Sequence, residues 1–254
     1  MKLVIFTIVL DGMPYIAWQY SIFQKLKCDW RWIVIEGAAM NNGSTKWCQK
    51  QEGRYSIDGT TDFLLKICDY RQINVLANTR WESKDAMANT AVSEITEPCV
   101  LMQVDADEIH TPENIEKIVQ LFEKDDSLGA IRMPCRFFVG PRLICHGENC
   151  WSNRSFEWTR AWRFEPGMRF LIHEPPNLHP LKGRIMEKDE AKTHGLSFDH
   201  YAYALKKQVK YKEAFYGYTG LVNQWRSLQK HDHFPEQLNR FFPFVDDKVM
   251  VGKI

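Results

Sequence analysis

No stretch of this 254-residue chain approaches the roughly 18 consecutive apolar residues that a membrane-crossing helix needs. The opening run Met1–Phe6 is apolar, but Asp11 and Gly12 end it before a signal peptide could form. Charge of one sign is missing as well: 33 basic residues stand against 32 acidic ones, so no broad field points to nucleic acid or to a membrane surface. Seven cysteines, an odd number and without a secretory signal, argue for reduced thiols over a disulfide framework. Internal repeats and low-complexity tracts are absent. Together these absences lead us to expect a cytoplasmic protein, at most peripheral to a membrane, with no transmembrane segment and no nucleic-acid partner. The length suits one large α/β domain, alone or with a small appendage.

What is present is a globular composition, 44% hydrophobic and 13% aromatic, with nine Trp. Residues 2–10 form a near-continuous apolar run, the pattern of a strand buried on both faces. Asp11-Gly12 makes a turn, and Pro14 suits the start of a helix over residues 15–26. Further strands are predicted at 30–35, 73–76 and 99–104, and helices at 61–69, 85–94 and from Thr111-Pro112 to about Lys124. Residues 41–60 are a long polar excursion. This alternation predicts a mostly parallel sheet with helices on both faces, whose ligands bind at the carboxyl ends of strands. Asp11, Glu36 and the cluster Asp105-Ala106-Asp107-Glu108 all fall at such ends. The second half is less regular. A strand is predicted over 130–138, a hairpin over 160–170 turning at Pro166-Gly167, and one long helix over 206–229.

Asp105-Ala106-Asp107 leaves a buried strand and enters a turn. Two carboxylates there suit a hard cation, Mg²⁺ or Mn²⁺, that also meets substrate phosphates. Taken alone, the tripeptide is equally a solvated acidic turn before the next helix. Four segments in order sharpen the reading: the first strand with Thr7 and Asp11-Gly12, the strand ending at Glu36, the stretch Trp81 to Asn89 with Lys84, and Val104 to Glu108. In these the sequence resembles the family 2 glycosyltransferases and their relatives with the GT-A fold, closely over residues 1–125 and more loosely beyond.

The resemblance implies a GT-A fold with a central mixed, mostly parallel sheet, and a DXD motif at Asp105–Asp107. It implies a nucleotide-sugar donor contacted by Thr7, Asp11, Glu36, Lys84 and Asp105, with Glu36 standing where the family often has Asp. Lys84 would lie near the diphosphate. A divalent cation, Mn²⁺ or Mg²⁺, would be held by Asp105, Asp107 and the late His200. Glu174, in His173-Glu174 after the predicted hairpin, would be the base for inverting, direct displacement by a hydroxyl acceptor, whether a glycan, a lipid-linked molecule or another alcohol. Glu174 could instead pair structurally with Arg163 or Arg169, and His200 could be a core or capping histidine. The GT-A domain is expected over 1–205, with 1–110 holding the donor and 111–205 the acceptor side, followed by a helical extension over 206–254.

Other features carry less. Lys206, Lys207, Lys210 and Lys212 read as a solvated helix face or as steering charges for a diphosphate. Cys145, His146 and Cys150 lack the second pair that a closed zinc site needs. Trp151, Trp158 and Trp162 are candidates for a sugar platform or for core. Phe241–Val245 could pack on the domain, form a dimer contact or touch a membrane. Two rival functions remain at this stage: a nucleotidyltransferase, although the first turn lacks that class's Gly-rich basic loop, and a non-catalytic carbohydrate-binding module.

Overall fold

A computed structural model describes residues 1–40, 51–146, 159–245 and 248–254. Residues 41–50, Cys150, Trp151 and Trp158 therefore lie outside the described residues. In chain order the elements are β1 (Leu3–Val9), α1 (Tyr15–Phe23), β2 (Trp30–Glu36), α2 (Thr60–Ile67), β3 (Ile73–Ala77), α3 (Lys84–Ser93), β4 (Cys99–Gln103), β5 (Glu108–Ile109) and α4 (Pro112–Lys124). The second half adds β6 (Leu128–Arg132), β7 (Cys135–Gly140), β8 (Leu143–His146), β9 (Thr159–Phe164), β10 (Arg169–Ile172), β11 (Asn177–His179), β12 (Arg184–Met186), α5 (Lys188–Thr193) and β13 (Phe198–His200). Helices α6 (Lys206–Tyr216) and α7 (Leu221–Gln229) and strands β14 (Glu236–Gln237) and β15 (Met250–Lys253) complete it.

The main sheet has seven strands in the order β12-β6-β9-β4-β1-β2-β3. Strands β3, β2, β1 and β4 run parallel, as do β12 and β6, while β9 is antiparallel to both of its neighbours. Side chains alternate across this sheet. Leu3 and Ile5 join one core with Phe23 of α1 and with Ile115, Ile118 and Phe122 of α4. Val4 and Phe6 join the other with Met87 and Ala91 of α3 and with Trp162 of β9. Each large apolar side chain buried in this way contributes about 1.5–3 kcal/mol of transfer energy, which is why β1 and β4 themselves read as mostly apolar sequence. Thr111 caps α4 as its sequence predicts, accepting from the Asn114 amide at 3.2 Å with Pro112 following.

A second sheet, β14-β15-β8-β7-β13-β5, stands beside the first. It matters because β13 pairs with β5, setting His200 opposite Glu108, and so joins the late part of the chain to the acidic cluster.

Four expectations for the second half are corrected. The strand expected over 130–138 is two strands in different sheets, because Pro134 between β6 and β7 cannot donate to a ladder. Pro166-Gly167 does make a turn, yet β10 pairs with β11 and not with β9. The long helix over 206–229 is interrupted: Gly217 and Gly220, at φ 71° and 76°, take left-handed conformations that end α6 and precede α7. Residues 206–254 also hold more than helix, since β15 pairs with β8. Phe242 is fully buried in the main core, so the late aromatic run packs on the domain.

Candidate active site

The carboxyl ends of β1 and β4 open into a cavity of about 790 Å³, walled on the far side by residues 200–218. Asp11, Lys84, Asp105, Asp107, Glu174 and His200 all line it. Six candidates scattered over 190 positions thus share one concave site. Thr7 and Glu36 do not reach it. Thr7 is fully buried, donating to the Val104 carbonyl at 2.8 Å and accepting from Trp32 Nε1 at 3.0 Å. Glu36 is also fully buried, and its carboxylate accepts from the Ser56 amide at 2.7 Å and from Thr61 Oγ1 at 3.0 Å. Both brace the cavity floor.

The turn after β1 is held by the segment 54–60. Asp11, at φ 57°, receives both guanidinium arms of Arg54, at 3.2 and 2.5 Å, and the Ile57 amide at 2.8 Å. Asp58 accepts from the Met13 amide at 3.0 Å and from Lys207 at 2.7 Å.

The acidic cluster divides its labour. Arg160 of β9, 3% exposed, donates to the wholly buried Glu108 at 2.7–3.0 Å and to Asp105 Oδ2 at 3.1 Å. Gln103 donates to the other oxygen of Asp105 at 2.9 Å. Burial opposes the charge of Asp105, but Arg160, His173 and the Gln103 hydrogen bond together outweigh it and hold the carboxyl below its usual range. For Glu108 burial wins, and its pKa is raised despite Arg160. Gln19 of α1 ties the turn from below, donating to the carbonyls of Asp105 at 2.7 Å and Glu108 at 2.9 Å.

Asp107 points the other way. Its Oδ1 lies 3.4 Å from His200 Nε2 and its Oδ2 3.9 Å from the Lys212 ammonium. Burial disfavours the charge, yet His200 and Lys212 hold the carboxyl well below the usual range, so it is ionised at neutral pH. Among the described residues no group of three or more His, Cys, Asp or Glu is arranged to grip a metal by protein ligands alone. The donor set fits a looser site. Asp107 and His200 offer one carboxylate oxygen and one imidazole nitrogen to a cation that completes its shell with water and phosphate oxygens. Asp105 lines the same cavity and accepts one hydrogen bond at each oxygen, from Gln103 and Arg160, which leaves each oxygen a further acceptor position.

The opposite wall carries the base candidate. Lys84 lies with Glu174, Nζ to Oε2 2.9 Å, which engages one of the three donors of an ammonium that lines the cavity, and neither Arg163 nor Arg169 takes that role. Burial works against the Glu174 charge, but Lys84 lowers its pKa below the ordinary value. The segment is anchored to α3. Asp85 accepts from the His173 amide at 2.6 Å, and Asn89 pairs with both backbone groups of Phe170 at 2.8 and 2.9 Å. The stretch Trp81–Asn89 thereby acquires a physical role, since it carries the partner of Glu174 and fixes the strand before it.

Sequence reasoning missed Arg160, the hub of the cluster. Its signal was partial: Arg160 and Arg163 both stand in the strand-like Thr159–Phe164, and whichever of them the strand buries demands a carboxylate. It also missed the cavity wall of Tyr203, Tyr211, Tyr216 and Tyr218, of which Tyr211 and Tyr216 stand on α6 and the other two flank it. Trp162 is core, 1% exposed.

Residues 55–180 match the family described as glycosyl transferase family 2. The chain is glycosyltransferase family 2-like. The match spans Lys84, Asp105, Asp107 and Glu174 and ends before His200. With it goes the GT-A architecture, the mixed, mostly parallel sheet described above. Among solved structures, S. aureus TarS aligns with a TM-score of 0.48 at 12% identity, covering 97% of this family 2-like chain and 44% of that one. TarS 1–349 in complex with UDP-GlcNAc aligns at 0.42 and 13% identity, covering 64% and 45%. A CMP:2-keto-3-deoxy-manno-octonic acid synthetase complexed with CTP aligns at 0.35 and 11%, covering 77% and 78%. The chain spans less than half the length of the TarS chains it resembles. None of the curated proteins matches it.

Proposed function

We propose that this chain is a metal-dependent glycosyltransferase that moves a sugar from a nucleotide-sugar to a hydroxyl acceptor with inversion at the anomeric carbon. One observation carries this reading. A single cavity presents an ionised carboxylate–imidazole pair, Asp107 and His200, on one wall, and a second ionised, half-exposed carboxylate, Glu174, on another. The first pair is suited to the diphosphate end of a donor and the second to an incoming hydroxyl.

In the step we infer, the acceptor oxygen forms its bond to the anomeric carbon as Glu174 accepts the hydroxyl proton. The bond from that carbon to the diphosphate oxygen breaks, and the nucleoside diphosphate leaves with its electron pair. Lys84 keeps Glu174 ionised until the proton arrives. Asp107 and His200 would hold the cation, Mn²⁺ or Mg²⁺, whose chemistry is to neutralise the leaving diphosphate. Arg160 fixes Asp105 and Glu108 beneath, so that the turn bearing Asp107 is already in place when the donor binds.

The binding half of this reading is tested by thermal shift, using nucleoside diphosphates and nucleotide-sugars with and without Mn²⁺. A ligand at about 100 times its dissociation constant adds roughly 2.7 kcal/mol to the folded state. One nucleoside class should raise the Tm of the wild type with Mn²⁺, and Asp107→Asn should lose the metal-dependent part. A wild type that no nucleotide stabilises, or an Asp107→Asn variant that responds as fully as wild type, counts against it.

A further inference from the structure

The cavity is lined by several cations, and their engagements differ. Lys84 donates to Glu174 at 2.9 Å, Lys207 to Asp58 at 2.7 Å, and Arg160 to Glu108 and Asp105. Lys212 is the exception. It stands on α6 with its side chain 19% exposed, 4.8 Å above the Tyr203 ring and 3.9 Å from Asp107 Oδ2. Among the described residues its ammonium has no hydrogen-bond acceptor, since 3.9 Å is an ion-pair distance beyond the reach of an N–H···O bond. Its side chain opens on the cavity, so its three donors face that space. Its contacts with the protein include an acid that also faces His200 and an aromatic ring. An anionic acceptor with several oxygens would take those donors together.

We propose that Lys212 is a fixed cationic ligand for the diphosphate of a nucleotide, standing beside Asp107 and His200 and acting whether or not a divalent cation is bound. This rests on the nucleotide-sugar reading and deepens it. It separates Lys212 from Lys206 and Lys210, whose side chains are exposed on the other faces of α6. It also gives α6 a function at the site, although it lies beyond the residues that match the family. The position is one at which a lysine acts as a compact point charge toward phosphate oxygens.

Isothermal titration of the full chain with UDP and GDP, and with UMP and GMP as partners lacking the second phosphate, tests this in EDTA and again in Mn²⁺. The wild type should prefer one diphosphate over its monophosphate even in EDTA. Lys212→Met should cut diphosphate affinity at least about tenfold in both conditions, the scale of a lost charge-assisted hydrogen bond. Its monophosphate affinity should stay unchanged, and Lys212→Arg should keep the preference. Unliganded melting is recorded alongside, and Lys212→Gln carries the same comparison if the Met variant fails to fold. Unchanged diphosphate affinity in the Met or Gln variant overturns the role of Lys212. A wild type whose diphosphate preference vanishes in EDTA also overturns it, and leaves the transferase reading standing. A wild type that binds no nucleotide in either condition overturns both.

Discussion

Glu174→Gln should lower the transfer rate by about 10²–10⁴-fold, the usual contribution of a positioned general base, while donor affinity changes little. Glutamine keeps the shape of the side chain and still faces Lys84 but cannot take a proton. The fold should tolerate the change, because Glu174 is 45% exposed and a pair so open to solvent is worth at most about 1 kcal/mol. The neighbour supplies a control with a different signature. Lys84 holds the Glu174 pKa below its ordinary value, and activity requires the ionised form. Lys84→Met therefore releases that pKa upward and moves the acidic limb of the pH–rate profile to higher pH, with the plateau less affected. A Glu174→Gln rate within threefold of wild type, or a Lys84→Met profile with an unmoved acidic limb, removes Glu174 from the role of base.

Arg160→Met should be the most damaging single change to stability near the site. It leaves Glu108, whose side chain is wholly buried, with the Asp105 amide at 3.1 Å as its remaining donor among the described residues. Breaking a buried pair from one side costs about 3–5 kcal/mol, a large share of the roughly 5–15 kcal/mol that holds a domain folded. The sign with pH is specific. Glu108 already has its folded pKa raised above the unfolded value by burial, and loss of Arg160 raises it further. A carboxyl with a raised folded pKa binds more protons folded than unfolded. Its stability is thus fully present below the unfolded value and is lost as pH rises through the folded one. The Arg160→Met deficit in urea unfolding should accordingly be smaller at pH 5 than at pH 8, and Glu108→Gln in the same chain should recover part of it. A deficit below about 1 kcal/mol, the range of an exposed pair, would contradict the picture of a buried hub.

The first half of the fold was legible because parallel strands covered on both faces must be apolar along most of their length, as Leu3–Val9 and Cys99–Gln103 are but for Thr7 and Gln103. The end of such a strand marks where ligands bind, so Asp105 and Asp107 could be picked out before any coordinates. The second half was not legible in the same way. The pairings β13 with β5 and β10 with β11 join segments by register, and nothing local in Phe198–His200 or Asn177–His179 announces the partner. His200 reached Asp107 as expected, but through a ladder that no periodicity encodes. Thr7 and Glu36 sat at the right ends of the right strands, yet their side chains point into the structure that supports the turn. Lys84 lines the cavity and pairs there with Glu174, a contact that its sequence neighbourhood does not announce. Whether a polar side chain faces ligand or scaffold depends on its partners in space, here Val104, Trp32 and Ser56.

The most direct measurement is the release of nucleoside diphosphate from a panel of nucleotide-sugars incubated with the full chain and Mn²⁺, followed with and without hydroxyl acceptors. The account predicts that one donor class yields free nucleoside diphosphate, that an acceptor accelerates it, and that Asp107→Asn and Glu174→Gln each suppress the accelerated rate. Release of pyrophosphate from a nucleoside triphosphate in the same cavity, or no turnover of any nucleotide-sugar, would contradict it.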